Sequence, residues 1–220
     1  MPVAAPRISL AGSGALLLDA AQGAFSDLVQ HRVWAVAKAA LELEGVRETV
    51  PGMNNLLVLF DPLALAATDI GSQLTSLWTE ADATGLVGRQ HNIPVAYGGA
   101  GGEDLAGWAV HCGMTVEEAV RRHSTATYTV AAVGAMPGFP YLSGLDPKLA
   151  WARRGTPRLK VVEGAVIIGG AQAGIMPMTA PSGWHIIGHT EVKLFDPGGE
   201  TPVLLRPGDT IRFDIASMEA

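Results

Sequence analysis

From Tyr128 onward, the apolar runs are short and each is closed off by glycine, proline or aspartate. Tyr128–Val133, Ala165–Ile168, His185–Ile187, Val192–Phe195, Val203–Leu205 and Thr210–Ile215 are the six such runs. Apolar or alternating runs of that length read as strands, and the punctuation between them reads as turns. Short strands at this spacing must hide their edges, so a compact closed barrel is the expected arrangement. Composition points the same way. Glycine (27) and proline (14) together fill 41 of 220 positions, against about 12% in an average protein. That frequency of turns disfavours a helical bundle. Hydrophobic residues reach 48% and charged residues only 16%, which supplies a real core and argues against disorder.

The first part of the chain alternates element types. Ile8 and Leu10, then Leu16 and Leu18, flank Gly12-Ser13-Gly14 as a strand pair around a turn. Ser26-Asp27 is a helix start, and Leu28, Val29, Val33, Val36, Ala37, Ala40 and Leu41 follow at helical spacing up to Gly45. Val46–Val50 and Leu56–Phe60 read as strands. Asp61-Pro62 opens a second helical stretch, interrupted at Gly71 and running to about Ala83. His91–Tyr97 is the next strand, with Pro94 suggesting an edge position. The succession β-α-β-β-α-β is that of a split-βαβ, ferredoxin-like unit. Gly98–Gly102 reads as a flexible join, followed by short helices over Asp104–Cys112 and Thr115–Arg122, the second opened by the capping box Thr115-Val116-Glu117-Glu118. The expected fold class is α+β: a ferredoxin-like domain over 1–88, then a β-barrel domain over 89–220.

Several function classes are disfavoured. With 15 basic and 21 acidic residues the net charge is −6, which lacks the basic footprint of a nucleic-acid binder. The lone Cys112 excludes an internal disulfide framework and a Cys-pair zinc motif. The start, Met1 to Arg7, has no secretory pattern, and no apolar run approaches the ~18 residues of a bilayer span. A cytoplasmic protein with no membrane partner is expected. Neither a Walker A sequence nor G-x-G-x-x-G is present, and Gly98–Gly102 lacks a lysine and precedes Glu103-Asp104. No metal site is expected: His185 and His189 share a strand face but lie about 13 Å apart, too far to hold one ion.

Three segments carry the candidate chemistry. Met136–Leu142 braces Phe139 and Tyr141 with two prolines and Gly138, which suits either a preformed apolar pocket or a plug at a barrel corner. Gly169–Pro177 surrounds Gln172 with glycines, Gly174 among them. It reads as recognition of a small amide or acid, or as a buried structural glutamine. Ala180–Thr190 holds Trp184, as site wall or core, and His189. Between them Thr156-Pro157-Arg158 offers a carboxylate or phosphate clamp, or a solvated cation. His123 is a general acid or base, or a cap on its helix C-terminus. None of these names a reaction unaided.

Together the segments resemble a known family, variously called the 5-oxoprolinase B subunit, allophanate hydrolase subunit 1 or the KipI-type kinase inhibitor. The resemblance runs through Pro94–Gly98, Gly102-Glu103-Asp104-Leu105, Glu117–Ser124, Tyr128-Thr129-Val130, Pro137–Leu142, Thr156-Pro157-Arg158, Ala171–Ile175 and Gly183-Trp184 to Gly188-His189-Thr190. It implies that the barrel is cyclophilin-like. It also implies a hydrolase subunit active only with others: a second carboxyltransferase-like subunit (the 5-oxoprolinase C subunit, or allophanate hydrolase subunit 2) and a third protein. The implied reaction is opening of 5-oxoproline to glutamate with ATP, Mg being held by the complex. In that reaction Arg158 would hold a carboxylate or phosphate, Gln172 would read the lactam amide and His123 would move a proton. Phe139 and Tyr141 would exclude water, with Gly138, Gly174, Trp184 and His189 completing the substrate pocket. The chain departs from the family pattern at Ala135-Met136, at Trp151-Ala152-Arg153-Arg154, and at Met176, Ser182 and His189. Rival functions are a kinase inhibitor, half of a urea-carboxylase-like carboxyltransferase using biotin from another protein, and a peptidyl-prolyl isomerase.

Overall fold

The computed structural model describes residues 4–81 and 88–219, and the chain divides into two compact units, Met1–Leu86 and Val87–Ala220. Ala83, where the sequence pattern ends the second helix, lies outside the described residues, as do Met1, Pro2 and Val3.

In the first unit, β1 (Arg7–Leu10), β2 (Ala15–Asp19), β3 (Val46–Pro51) and β4 (Asn55–Phe60) form an antiparallel sheet in the order β1-β2-β4-β3. Helices α1 (Asp27–Ala40) and α2 (Ala67–Glu80) bury Val33, Val36, Ile70 and Leu74 against Leu16, Leu18, Leu56, Val58 and Phe60. Alternation along β2 and β4 aims those sheet residues at one face. The strand at the β2 edge is β1, from the N-terminal hairpin. The His91–Tyr97 strand, read from sequence as closing this unit, belongs to the barrel instead. A hairpin satisfies the β2 edge locally, so the later strand is free to pair elsewhere.

Ser26 caps α1 by accepting from the Val29 N–H. Buried Asn54, at φ +57°, receives the Ser26 N–H on its Oδ1 and donates its own N–H to Gln30 Oε1 at 2.7 Å. This side-chain network ties the start of α1 to the β3–β4 turn. Helix α2 is continuous through Gly71, where the sequence suggests an interruption; a β-carbon there would touch Ile8 and Leu16.

The second unit is a closed barrel of β5 (Gln90–Gly98), β6 (Tyr128–Val133), β7 (Pro140–Ser143), β9 (Ala165–Gly169), β10 (Gln172–Ile175), β12 (His185–His189) and β13 (Thr210–Glu219). Its order is β10-β7-β6-β13-β5-β12-β9, and β13 runs parallel to β5 along nine register pairs. A separate ribbon pairs β8 (Arg158–Val161) with β11 (Ala180–Ser182). Pro94 falls where β5 is paired on its β13 side alone, since the β12 ladder begins at Ala96. Helices α3 (Leu105–His111) and α4 (Val116–Thr125) contribute Leu105, Trp108 and Val120 to the barrel core. Thr115 caps α4 by accepting from the Glu118 N–H, while the Glu118 carboxylate pairs with Arg121 and Arg122.

Two expectations are corrected here. Gly98–Gly102 is not a flexible join: it is a tight 3₁₀ turn whose would-be β-carbons collide with Glu219, His189 and Ile187. Val192–Phe195 and Val203–Leu205 do not form strands, meeting only at a Phe195–Val203 bridge, although Leu194 and Leu205 still enter the core.

Candidate functional site

Strand alternation sorts the barrel's side chains into two sets. Val166, Ile168, Ala173, Ile175 and Ile187 point inward to a filled core with Tyr97, Tyr128 and Phe213. Ala165, Ile167 and Ile186 point outward, where Phe139, Val161, Met176 and Trp184 pack over them as a second apolar cluster. An open cleft of about 300 Å³ lies on this outer wall, lined by Met136, Phe139, Tyr141, Arg153, Arg154, Met176, Ser182 and Trp184 among others.

Its aromatic side is built by backbone constraint. Phe139 follows Gly138, at φ +78°, where a β-carbon would press on the Leu194 carbonyl and Phe195. The turn is closed by the Phe139 N–H donating to Met136 O at 3.1 Å. Trp184 lies over Gly169, where a β-carbon would collide with its ring, and Gly174 leaves room for both Phe139 and Trp184. Phe139 meets Trp184 edge-to-face at 5.7 Å and Tyr141 at 5.0 Å, both orientations that ring quadrupoles favour. Ala135 also lines the cleft at φ +63°, a left-handed conformation that non-glycine residues seldom adopt.

Its polar side is the Trp151–Arg154 loop. Trp151 exchanges both backbone hydrogen bonds with Gly170 and stacks on His185 at 3.5 Å. The Arg154 N–H donates to Gly183 O at 2.7 Å, tying the loop to the turn before Trp184. Arg153 places its guanidinium 5.2 Å from the Trp184 ring centroid, a cation–π contact. Arg154 Nη1 donates to Asp104 at 3.4 Å. The cleft thus sets two guanidinium groups beside three aromatic rings, an arrangement suited to a small anion with an apolar body.

Of the residues singled out from sequence, Phe139, Tyr141 and Trp184 line this cleft, and Gly138 and Gly174 shape it. The others are not brought to it. Arg158 commits Nη2 to Asp104 and Nε to Glu103, both at 2.9 Å, which raises its pKa above the ordinary arginine value. Gln172 shares the outward face of Gly174 but is outside the lining. His189 lies against the Glu163 carbonyl at 3.0 Å and borders separate hollows.

His123 is in the barrel interior. It is fully buried, stacked on Phe213 at 4.6 Å, with Nδ1 2.8 Å from the Tyr97 hydroxyl. Burial pushes its pKa down to about 3, so the ring is neutral at pH 7. It is remote in chemistry from an acid–base group poised near neutrality. Neither does it cap the α4 C-terminus as a cation. Sequence reasoning missed Arg153 and Arg154 in favour of Arg158; the cue was Trp151-Ala152-Arg153-Arg154, a departure from the family pattern. Among the described residues, no group of three or more His, Cys, Asp or Glu converges, and no helix is long and apolar enough to cross a membrane.

The barrel-plus-sheet architecture has known counterparts. Residues 6–205 match the family model for the carboxyltransferase domain, subdomain C and D. The chain is 45% identical over 184 residues to the Escherichia coli O157:H7 protein named as the B subunit of 5-oxoprolinase, covering 84% of each. It is 41% identical to the protein of that name from Haemophilus influenzae, covering 86% of this chain and 89% of the other. In three dimensions it resembles TTHA0988, with TM-score 0.79, 35% identity and 92% of this chain aligned; it spans only 40% of that longer chain. The K. lactis urea amidolyase shares the fold at TM-score 0.82 and 18% identity, across 99% of this chain and 15% of the amidolyase. The chain belongs to the carboxyltransferase domain C/D family. Within it, the chain falls in the group of 5-oxoprolinase B subunits.

Proposed function

We propose that the chain is the B subunit of an ATP-dependent 5-oxoprolinase complex and that the outer-wall cleft takes its substrate. The reading is supported above all by 45% identity, along 84% of both chains, to a 5-oxoprolinase B subunit. The cleft's chemistry agrees. 5-Oxoproline is a five-membered lactam bearing one carboxylate, and the aromatic rings fit its ring while a guanidinium fits the carboxylate. Arg154 holds that carboxylate, Trp184 carries one ring face, and Phe139 and Tyr141 keep water away.

The lactam is a stabilised amide, so its carbonyl needs activation, which ATP supplies to the complex. The glycine-rich turn of this chain does not fit a triphosphate: Glu219 closes on Gly98 and Gly99, and Glu103 and Asp104 follow. In this reading ATP and its Mg sit on the partner subunits. This subunit's own work is binding and orientation, which convert to rate through proximity.

Co-expression with the neighbouring carboxyltransferase-like subunit and the third component tests the assignment, by following ATP-dependent glutamate release from 5-oxoproline. Turnover that disappears when this chain is left out is the expected result. Arg154→Ala in the same assay is expected to raise KM at least tenfold, while release by the complex lacking this chain would end the assignment. Inhibition of a sensor histidine kinase by the purified chain, without turnover in the complex, would favour the regulatory rival.

A further inference from the structure

We infer that Asp104 is a positioning residue for the cleft, holding Arg154 ready for the substrate's anionic group; this rests on the cleft assignment above. Asp104 precedes α3, with only 11% of its side chain exposed. Oδ2 accepts the Ile186 N–H at 2.7 Å, and the Asp104 N–H donates back to Ile186 O at 2.9 Å. Oδ1 accepts from two guanidinium groups, Arg158 Nη2 at 2.9 Å and Arg154 Nη1 at 3.4 Å. One carboxylate therefore joins the start of α3, the backbone of β12 and two arginines. Burial opposes its ionisation, but hydrogen bonds from Arg158 and Ile186 outweigh that and hold its pKa below the ordinary value. It is charged at neutral pH.

Two features link this cluster to a ligand. Arg154 Nε and Arg158 Nη1 are both buried without a hydrogen-bond partner, and an unmade bond from a buried charged donor is costly. The charges are also uneven: Arg158 pairs with Glu103 and Asp104, Arg154 shares Asp104, and Arg153 sits over the Trp184 ring, so this cluster carries one net positive charge, with Arg153 and Arg154 lining the cleft. A free arginine side chain loses rotamer entropy when it is ordered. Tethering by Asp104 places that loss in folding rather than in binding.

The test separates placement from architecture. Asp104→Asn retains an acceptor for Ile186 N–H but removes the charge that binds the arginines. In the reconstituted complex it is expected to raise KM for 5-oxoproline tenfold or more, with kcat within about threefold of wild type. In the isolated chain, the Nε–H NMR signals of Arg154 and Arg158, assigned through their Lys variants, are expected to be slow to exchange in wild type. Asp104→Asn should broaden both. Unchanged KM, or unchanged signals, overturns the inference. If Asp104→Asn does not fold, Arg154→Lys, which leaves Asp104 on Arg158 and Ile186, is expected to give the same KM rise, and an unchanged KM overturns the inference equally. A wild-type complex without turnover overturns the functional assignment instead, and the NMR signals then decide the role of Asp104 alone.

Discussion

Trp184→Ala is expected to destabilise the barrel unit by about 3–5 kcal/mol, the range for deleting a large buried aromatic, and to abolish turnover by the complex. The indole is 5% exposed and joins Gly169, Phe139, Tyr141 and the Arg153 guanidinium. Its removal opens the outer cluster to water and frees Arg153 from its platform. Gly169→Ala attacks the same contact from the backbone side, because the added methyl occupies space held by the ring. Overpacking of this kind costs about 1–3 kcal/mol. Urea unfolding monitored separately for the two units, with turnover measured in parallel, checks both variants. If Trp184→Ala unfolds at the wild-type midpoint, the ring is not the keystone of the outer wall.

The second large effect concerns acid. The His123 pKa is depressed by burial to about 3 in the folded chain, whereas an unfolded histidine titrates near 6.5. Between those values the unfolded state binds the extra proton, so stability falls as pH falls, by up to ~1.4 kcal/mol per pH unit. The contribution is fully present above about 6.5 and is lost progressively toward pH 3. Carboxylates held low, Asp104 among them, begin to cost stability only below about 5. The window from 6.5 to 5 therefore reports on the histidine. His123→Phe should flatten the slope there, at a neutral-pH cost of about 1–3 kcal/mol for leaving the Tyr97 hydroxyl unpaired. Urea midpoints at pH 7, 6 and 5 measure this. Equal slopes in both proteins would exonerate His123.

Much of the fold is legible in the sequence because its signals are local. Tyr128–Val133 is a strand with the bounds its apolar run suggests, and Ser26 and Thr115 cap helices where their sequence context places them. The misses have physical causes. Strand β10, Gln172–Ile175, is four residues containing a glycine, and β7 begins at Pro140, so both read as loops. Each pairs with the strand just before it in sequence, β9 or β6, and the two meet each other at Ala173–Leu142, a pairing that only the closed barrel supplies. The site divides in the same way. Phe139, Tyr141 and Trp184 announce themselves through the glycines and prolines that hold them. Arg154 and Arg158 are alike as isolated residues. Both meet Asp104, 50 residues before Arg154, and only the folded chain shows that Arg158 is also taken by Glu103 while Arg154 lines the cleft. His123 reads as reactive because histidine usually titrates near neutrality; nothing near it in sequence reveals its burial among Tyr97, Phe213 and Trp108.

The separation of inward and outward side chains on the same strands has an evolutionary consequence. Met136, Met176 and Ser182, three departures from the family pattern, all border the cleft, and none belongs to the barrel's central cluster. Selectivity can drift by exchanging such peripheral groups while the residues that secure folding stay unaltered. A lineage carrying this subunit can thus reshape its outer cleft without first risking collapse of its scaffold.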